Sequence, residues 1–213
     1  MIVVVGLSHK SAPVEVRERL AVPASDLRNV LEKLRACPEI SEAMVLSTCN
    51  RVEVFAAAKL ANDLDGSLAT EAVTRLLCER AGPELCARVR DHLFQFTDDA
   101  AVRHLFRVAA SLDSLVVGEP QILGQVKDAF DSACRAGAIG PLLGRAAASA
   151  LHVAKRARSE TRIGAGTVSI SSAAVDLARQ IFGNLDGRVV ALLGAGDMAE
   201  AAAKVLCDDG ARL

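Results

Sequence analysis

Residues 43–57 read Ala43-Met44-Val45-Leu46-Ser47-Thr48-Cys49-Asn50-Arg51-Val52-Glu53-Val54-Phe55-Ala56-Ala57, two β-rich runs separated by a tight polar segment. The second run alternates Val52, Val54 and Ala56 against Glu53 and Phe55, the period of a half-buried strand. Upstream, Ile2-Val3-Val4-Val5-Gly6 predicts a short buried strand that ends at glycine. Ser11 and Pro13 then open a helix, because proline in a first turn gives up an N–H that has no partner there anyway. A second helix is expected from Ser25 to Ala36, stopping before Cys37-Pro38.

From Ser67 onward the pattern is mostly helical, broken most clearly at Gly82-Pro83 and Gly140-Pro141. Leu142 to Arg162 has no proline and reads as one long helix rich in Ala and Arg. Gly164-Ala165-Gly166 interrupts it, and a helical pattern resumes over 168–182. The last segment changes character. Arg188–Leu193 is a short apolar run leading into Gly194-Ala195-Gly196-Asp197-Met198-Ala199 and an alanine-rich helix to about Cys207. Strand, glycine turn and helix follow in the order that opens a dinucleotide-binding fold. The expected architecture is an α+β domain over 1–143, a long connecting helix region over 144–183, and the beginning of an α/β Rossmann-type domain over 184–213.

A chain of 213 residues holds one large or two small domains. Its 51% hydrophobic and 24% charged content is that of an ordinary globular protein. No apolar run approaches the ~18–20 residues of a membrane span, and no signal-peptide core is present, so no membrane association and a cytoplasmic location are expected. With a net charge of −1 the whole chain has no attraction for nucleic acid, and any RNA contact must come from a local patch. Six Phe, no Trp and no Tyr argue against a base-stacking platform, leaving shape and phosphate contacts.

The six cysteines show no metal-binding or redox spacing. Most sit in apolar helical settings, where a buried, inert thiol is the default. Cys49 differs. It lies in a polar loop two residues from Arg51, which could supply a cationic environment for a thiolate or clamp a substrate carboxylate. The same segment also reads as a plain hairpin turn with a semi-buried Cys. A second constellation runs from Asp113 to Lys127, where Gly118, Pro120 and Gly124 shape a loop feeding a helix, with Gln121 and Gln125 on one face. A pocket wall and an ordinary loop-to-helix junction both fit. His104 lies on an amphipathic helix that begins after Thr97; its role turns on proximity to Cys49, and His9 is equally open. Lys155, Arg156, Arg158 and Arg162 read as a solvated helix face, with RNA phosphate contact as the alternative. Gly194, Gly196 and Ala199 fit the glycine fingerprint that brings a pyrophosphate to a helix N-terminus.

Taken together, these stretches resemble the glutamyl-tRNA reductase family. The matching segments are 6–14, 46–53, 104–109, 112–127, 153–158 with Glu160-Thr161, and the Gly194 turn. The resemblance implies NADPH-dependent reduction of glutamyl-tRNA to glutamate-1-semialdehyde, the first step of five-carbon tetrapyrrole (porphyrin) biosynthesis, through a thioester on Cys49. It implies that His104 assists proton transfer or polarises the carbonyl, and that Thr48, Arg51, Ser114 and Gln121 orient the glutamyl group. Glu119, with Glu53, supports the same pocket. It places NADPH on Gly194, Ala195, Gly196, Asp197, Met198 and Ala199, and assigns no metal. Implied partners are glutamyl-tRNA, a second copy through a C-terminal dimerisation domain, and glutamate-1-semialdehyde aminomutase. Ser111 stands where the family commonly has glycine, and Ala199 replaces a frequent third glycine. Family members continue through a complete nucleotide-binding domain, so these residues are expected to be a truncation or fragment that binds NADPH poorly. The alternatives are a non-reducing module that holds glutamyl-tRNA or a partner with residual ester hydrolysis, and a thiol enzyme acting on a small acyl donor.

Overall fold

The computed structural model describes residues 1–59, 63, 65–164, 170–194 and 196–213. Three of the expected elements are strands of one sheet: β1 (Ile2–Ser8), β2 (Ile40–Ser47) and β3 (Arg51–Ala58). A fourth strand, β4 (Phe94–Thr97), completes it in the order β2-β3-β1-β4, and every neighbouring pair is antiparallel. β4 went unread in the sequence because its four residues are too few to show a period between helices. The half-buried reading of β3 is also corrected. Glu53 and Phe55 are as buried as Val52 and Val54, because helices cover both faces of this inner strand.

The helices are α1 (Val14–Leu20), α2 (Ala24–Ala36), α3 (Ser67–Ala81), α4 (Cys86–His92), α5 (Asp98–Ala109), α6 (Gln121–Arg135), α7 (Pro141–Glu160), α8 (Ile170–Phe182) and α9 (Asp197–Asp208). On one face of the sheet, α5 packs against β1 and β4 while α7 packs against β2, β3 and α5. α3 lies against β1 and β3, with the turn before it close to Val3. In α7 the buried positions Leu143, Ala147, Ala150 and Ala154 recur at helical spacing, so this long helix joins the main core. Its N-terminus is held by a distant carboxylate: Glu42 accepts from the N–H groups of Leu142 at 3.0 Å and Leu143 at 2.8 Å. An anion at a helix start both satisfies orphan donors and complements the helix dipole.

Val175, Leu185, Leu206 and Ala211 form a second, smaller cluster, with α8 packed on α9. Here the expected strand over Arg188–Leu193 is corrected. It shortens to an isolated parallel bridge, Val189 to Arg212, with Val190 N–H donating to the Arg212 carbonyl at 2.8 Å. A strand extends only where neighbours take its N–H and C=O groups, and residues beyond 190 meet none among the described residues. Val189 and Leu193 are consequently exposed. Among the described residues no helix is long and apolar enough to cross a membrane.

Candidate functional site

The link from β2 to β3 closes on itself. Thr48 N–H donates to the Arg51 carbonyl at 2.8 Å, and Thr48 Oγ1 accepts from the N–H groups of Asn50 and Arg51, both at 3.2 Å. A threonine hydroxyl that satisfies two following amides fixes a turn without help from elsewhere. Two further contacts tie it to the rest of the fold: His9 N–H donates to the Asn50 carbonyl at 2.8 Å, and Arg17 Nη1 to Asn50 Oδ1 at 3.4 Å. Cys49 is exposed within this turn. Burial first, and then the charges of Arg51, Lys10 and Arg17, hold the His9 imidazole below its ordinary pKa. Its Nδ1 has no hydrogen-bond partner among the described residues.

The second part of the site is assembled by strand register. Phe96 pairs with Val4 and Val4 with Phe55; one step along, Phe94 pairs with Gly6 and Gly6 with Glu53. Directly opposed residues share a face, so three phenyl rings and one carboxylate converge on the side covered by α5. Gly6 makes this arrangement possible, since a Cβ there would lie 2.9 Å from Glu53 Cγ and 2.5 Å from the Val52 carbonyl. Into this space α5 delivers His104. Its ring centroid lies 5.1 Å from Phe94, 5.2 Å from Phe96 and 6.2 Å from Phe55. His104 Nε2 stands 3.1 Å from Glu53 Oε2, but out of line, so the contact is electrostatic and neither atom has a hydrogen-bond partner among the described residues. The other carboxylate oxygen, Oε1, accepts from Arg51 Nη1 at 2.6 Å, while Arg51 Nη2 donates to the Asp113 carbonyl at 2.7 Å. Glu53 is fully buried with a guanidinium on one oxygen and an imidazole near the other. Arg51 is thereby committed to Glu53 and Asp113 and is itself buried.

Residues 111–121 form the third part. Ser111 adopts φ +61°, the left-handed region glycine enters freely, at the position where glycine was the expected residue. Its hydroxyl donates to the Glu119 carbonyl at 2.6 Å, and Gly118 N–H returns to the Ser111 carbonyl at 3.1 Å. Arg158 of α7 reaches the Ser111 hydroxyl at 3.0 Å, the Gly118 carbonyl at 3.1 Å and the Glu119 carbonyl. The expectation of a solvated Arg158 is therefore corrected: it clamps this loop, whereas Lys155, Arg156 and Arg162 are exposed. Asp113 accepts from Arg107 at 2.8 and 3.1 Å and from Lys10 at 2.7 Å. Burial alone would raise the Asp113 carboxyl, but the hydrogen bonds from Arg107 and Lys10 hold it well below the carboxylate range. Ser114 is buried, and its Oγ has no partner among the described residues.

A cavity of about 360 Å³ opens on this assembly, with Arg51, His104, Phe94, Phe96, Arg103 and Asp113 in its wall. It brings together two of the expected residues, Arg51 and His104. Thr48, Cys49, Ser114, Glu119 and Gln121 are not in the wall; Cys49 and Thr48 lie in the turn just before Arg51, Ser114 follows Asp113, and Gln121 begins α6. Phe94, Phe96 and Arg103 were missed as wall residues, whereas Asp113 opens the stretch for which a pocket wall was one reading. The Phe94-Gln95-Phe96 alternation was the one available signal. Two other cysteines are exposed, Cys134 and Cys207, against the expectation of buried thiols. On α6 the buried stripe runs Ile122, Val126, Ala129 and Ala133, and Cys134 is one residue, ~100°, off it. Burial pushes Cys78 up to about 11, helped by Cys86, which leaves it protonated at neutral pH.

Of the expected cofactor residues, Ala195 lies outside the described residues. Gly194 has φ +120°, Gly196 caps α9, and Asp197, Met198 and Ala199 form its first turn. A Cβ at Gly194 or Gly196 would meet nothing within 4 Å. An open glycine turn at a helix N-terminus suits a pyrophosphate. Among the described residues no cluster of His, Cys, Asp and Glu is placed to hold a metal ion.

A family model described as "Glutamyl-tRNAGlu reductase, N-terminal domain" matches residues 5–161. Relatives named glutamyl-tRNA reductase include one from Sorangium cellulosum, 54% identical over 98% of this chain and 42% of its own length. Another, from Geobacter metallireducens, is 47% identical over 99% of this chain and 47% of its own length. A solved structure titled glutamyl-tRNA reductase from Methanopyrus kandleri superposes with a TM-score of 0.64 at 38% identity, over 99% of this chain and 47% of that one. The chain thus spans somewhat under half the length of the relatives it matches.

Proposed function

Since the chain belongs to the glutamyl-tRNA reductase N-terminal domain family, we propose that it supplies the acyl-transfer half of an NADPH-dependent reduction of glutamyl-tRNA to glutamate-1-semialdehyde. One observation carries the reading. An exposed thiol sits in a turn two residues from Arg51, and Arg51 shares the buried Glu53 carboxylate with His104 on the wall of one cavity. In this mechanism Cys49 Sγ attacks the ester carbonyl that joins glutamate to the RNA. A C–S bond forms, the C–O bond breaks, and the proton given up by the thiol ends on the departing terminal hydroxyl of the RNA. His104 is the group set to carry that proton, with the Glu53 carboxylate beside it. Thr48 shapes the turn that presents the sulfur, while Ser114, whose Oγ has no partner among the described residues, has hydrogen-bonding capacity for the glutamyl group. The thioester is more electrophilic than the ester it replaces, which prepares the acyl carbon for reduction. NADPH, when bound, supplies the hydride. Gly194, Gly196 and the first turn of α9 are the residues that would hold its pyrophosphate.

The test is covalent. Glutamyl-tRNA labelled on glutamate should leave a base-labile label on the wild-type chain and none on Cys49→Ser. Exposed Cys134 and Cys207 are removed in a parallel Cys134→Ser, Cys207→Ser chain, which should still be labelled. Equal labelling of Cys49→Ser would sink the reading. A free glutamyl thioester offered in competition separates this substrate from a small acyl donor.

A further inference from the structure

The cavity is larger than the glutamyl group needs, and most of its wall has no part in gripping it. Thr48, Ser114 and Gln121, the side chains suited to a glutamyl moiety, are not in the wall, whereas Phe94, Phe96, Ala100 and Arg103 are. Resting on the reading of Cys49 above, we propose that this phenyl-lined half of the cavity is the subsite for the terminal adenosine of the RNA substrate, whose base stacks on Phe96 and whose phosphate meets Arg103.

The observations that carry it are of shape, ring geometry and charge. Three of the six phenylalanines in the chain surround one histidine, and two of them line the cavity. Aromatics are scarce overall yet gathered here. Phe94 and Phe96 stack at 5.3 Å between centroids, and Phe96 remains 37% exposed on the edge strand, leaving a ring face for a ligand. Stacking on a phenyl ring accepts any base, and the cavity of about 360 Å³ is of small-ligand size. Charge completes the match. Lys10, Arg51, Arg103 and Arg107 face the cavity against the single carboxylate Asp113 in its wall, although the chain as a whole carries −1. Lys10 and Arg107 are tied to Asp113, and Arg51 to Glu53. Arg103 is exposed and has no hydrogen bond or ion pair among the described residues. An uncommitted guanidinium beside a ring face is what a nucleoside phosphate requires. A dinucleotide is the competing occupant, but its pyrophosphate has a fitting glycine turn elsewhere in the chain.

A short RNA hairpin ending in CCA, with 2-aminopurine as its terminal base, reports stacking directly, because a chain with no Trp or Tyr adds almost no emission of its own. Wild type should quench the probe. Phe96→Ala should weaken binding at least ~5-fold and abolish the quench. Phe96→Leu keeps the apolar bulk, so it guards against simple misfolding, and it should lose the quench as well. Arg103→Ala should weaken binding and reduce the salt slope by about 1. The Cys134→Ser, Cys207→Ser chain should bind like wild type. Unchanged quenching by both Phe96 variants would overturn the proposal, as would displacement of the probe by NADPH with loss of NADPH binding in Phe96→Ala. If wild type forms the Cys49 adduct but the Phe96 variants bind normally, the subsite fails and the function stands. If the probe stacks on Phe96 but no adduct forms, the reverse holds.

Discussion

The turn that presents Cys49 and the cage that holds His104 meet at Arg51, yet they are built in different ways. The turn is closed by bonds among near neighbours, from Thr48 to Asn50 and Arg51. The cage is closed entirely by residues distant in sequence: Gly6 from β1, Glu53 and Phe55 from β3, Phe94 and Phe96 from β4, and His104 from α5. A local turn leaves its thiol exposed and free to react, at little consequence for the fold. A cage made by register puts an ionic cluster in the core, where its groups contribute to stability. The largest expected effect follows from that contrast. Glu53→Ala removes the partner of a buried guanidinium and should cost ~3–5 kcal/mol. Cys49→Ser should stay within ~0.5 kcal/mol of wild type. Urea unfolding of the two variants measures both, and equal losses would erase the distinction between turn and cage.

Gly6→Ala comes next, because it attacks the cage without touching a charge. The added Cβ would lie 2.5 Å from the Val52 carbonyl and 2.8 Å from Glu53 Cα, both backbone, so the strands themselves must part. Overpacking of this kind costs roughly 1–3 kcal/mol, and β1 and β3 are inner strands with no slack at an edge. The Cm for urea should fall and the 2-aminopurine quench should weaken with it, since Phe94 and Glu53 flank the same glycine. A Gly6→Ala chain as stable as wild type would mean that Glu53 does not lie against Gly6 as described.

This also explains how far the sequence could be read. The turn was legible because its determinants are contiguous: Thr48-Cys49-Asn50-Arg51 between two β-rich runs is the whole device. The strands, the helix after Thr97 and the long helix near 142–160 were legible for the same reason, since each declares its own period. The cage was not. Nothing in Val4, Gly6 or Phe94 announces that they become cross-strand neighbours, because register emerges only when three strands assemble. Composition was silent in a related way. A count of six phenylalanines says nothing about where the rings meet. Arg158 was misjudged because a helix face looks solvated until a loop folds over it. At the glycine turn the motif was legible, but the strand before it needed partners that local sequence does not supply.

A smaller effect is expected where the 111–119 loop departs from glycine. Ser111 holds φ +61° and repays it with a hydroxyl that donates to Glu119 and accepts from Arg158. Ser111→Ala keeps the backbone strain and loses both bonds, each worth about 1 kcal/mol net, so a loss of about 2 kcal/mol is expected. Ser111→Gly loses the same bonds but regains about 1 kcal/mol as the left-handed conformation becomes easy. The difference between the two variants isolates the strain. Thermal unfolding that ranks Ala above Gly would show that Ser111 is not strained in solution.

The smallest effect belongs to the turn. His9 has its imidazole pKa lowered below 6.5 by burial and by the nearby charges of Arg51, Lys10 and Arg17. Between that lowered value and 6.5 the unfolded chain binds more protons than the folded one, so stability must rise with pH across that window and fall as acid is added. Asp113 behaves in the opposite sense for its charge but with the same slope. Its carboxylate is held below 3.8, so its contribution is complete above that pH and is lost only in stronger acid, outside the His9 window. His9→Gln should therefore flatten the stability profile just below pH 6.5 and leave the acid limb untouched. The imidazole titration followed by NMR gives the direct check. A His9 pKa at or above 6.5 would mean that the three cations do not converge on the Asn50 side of the turn. The positive surroundings inferred for Cys49 would then have to come from Arg51 alone, a guanidinium already neutralised by Glu53.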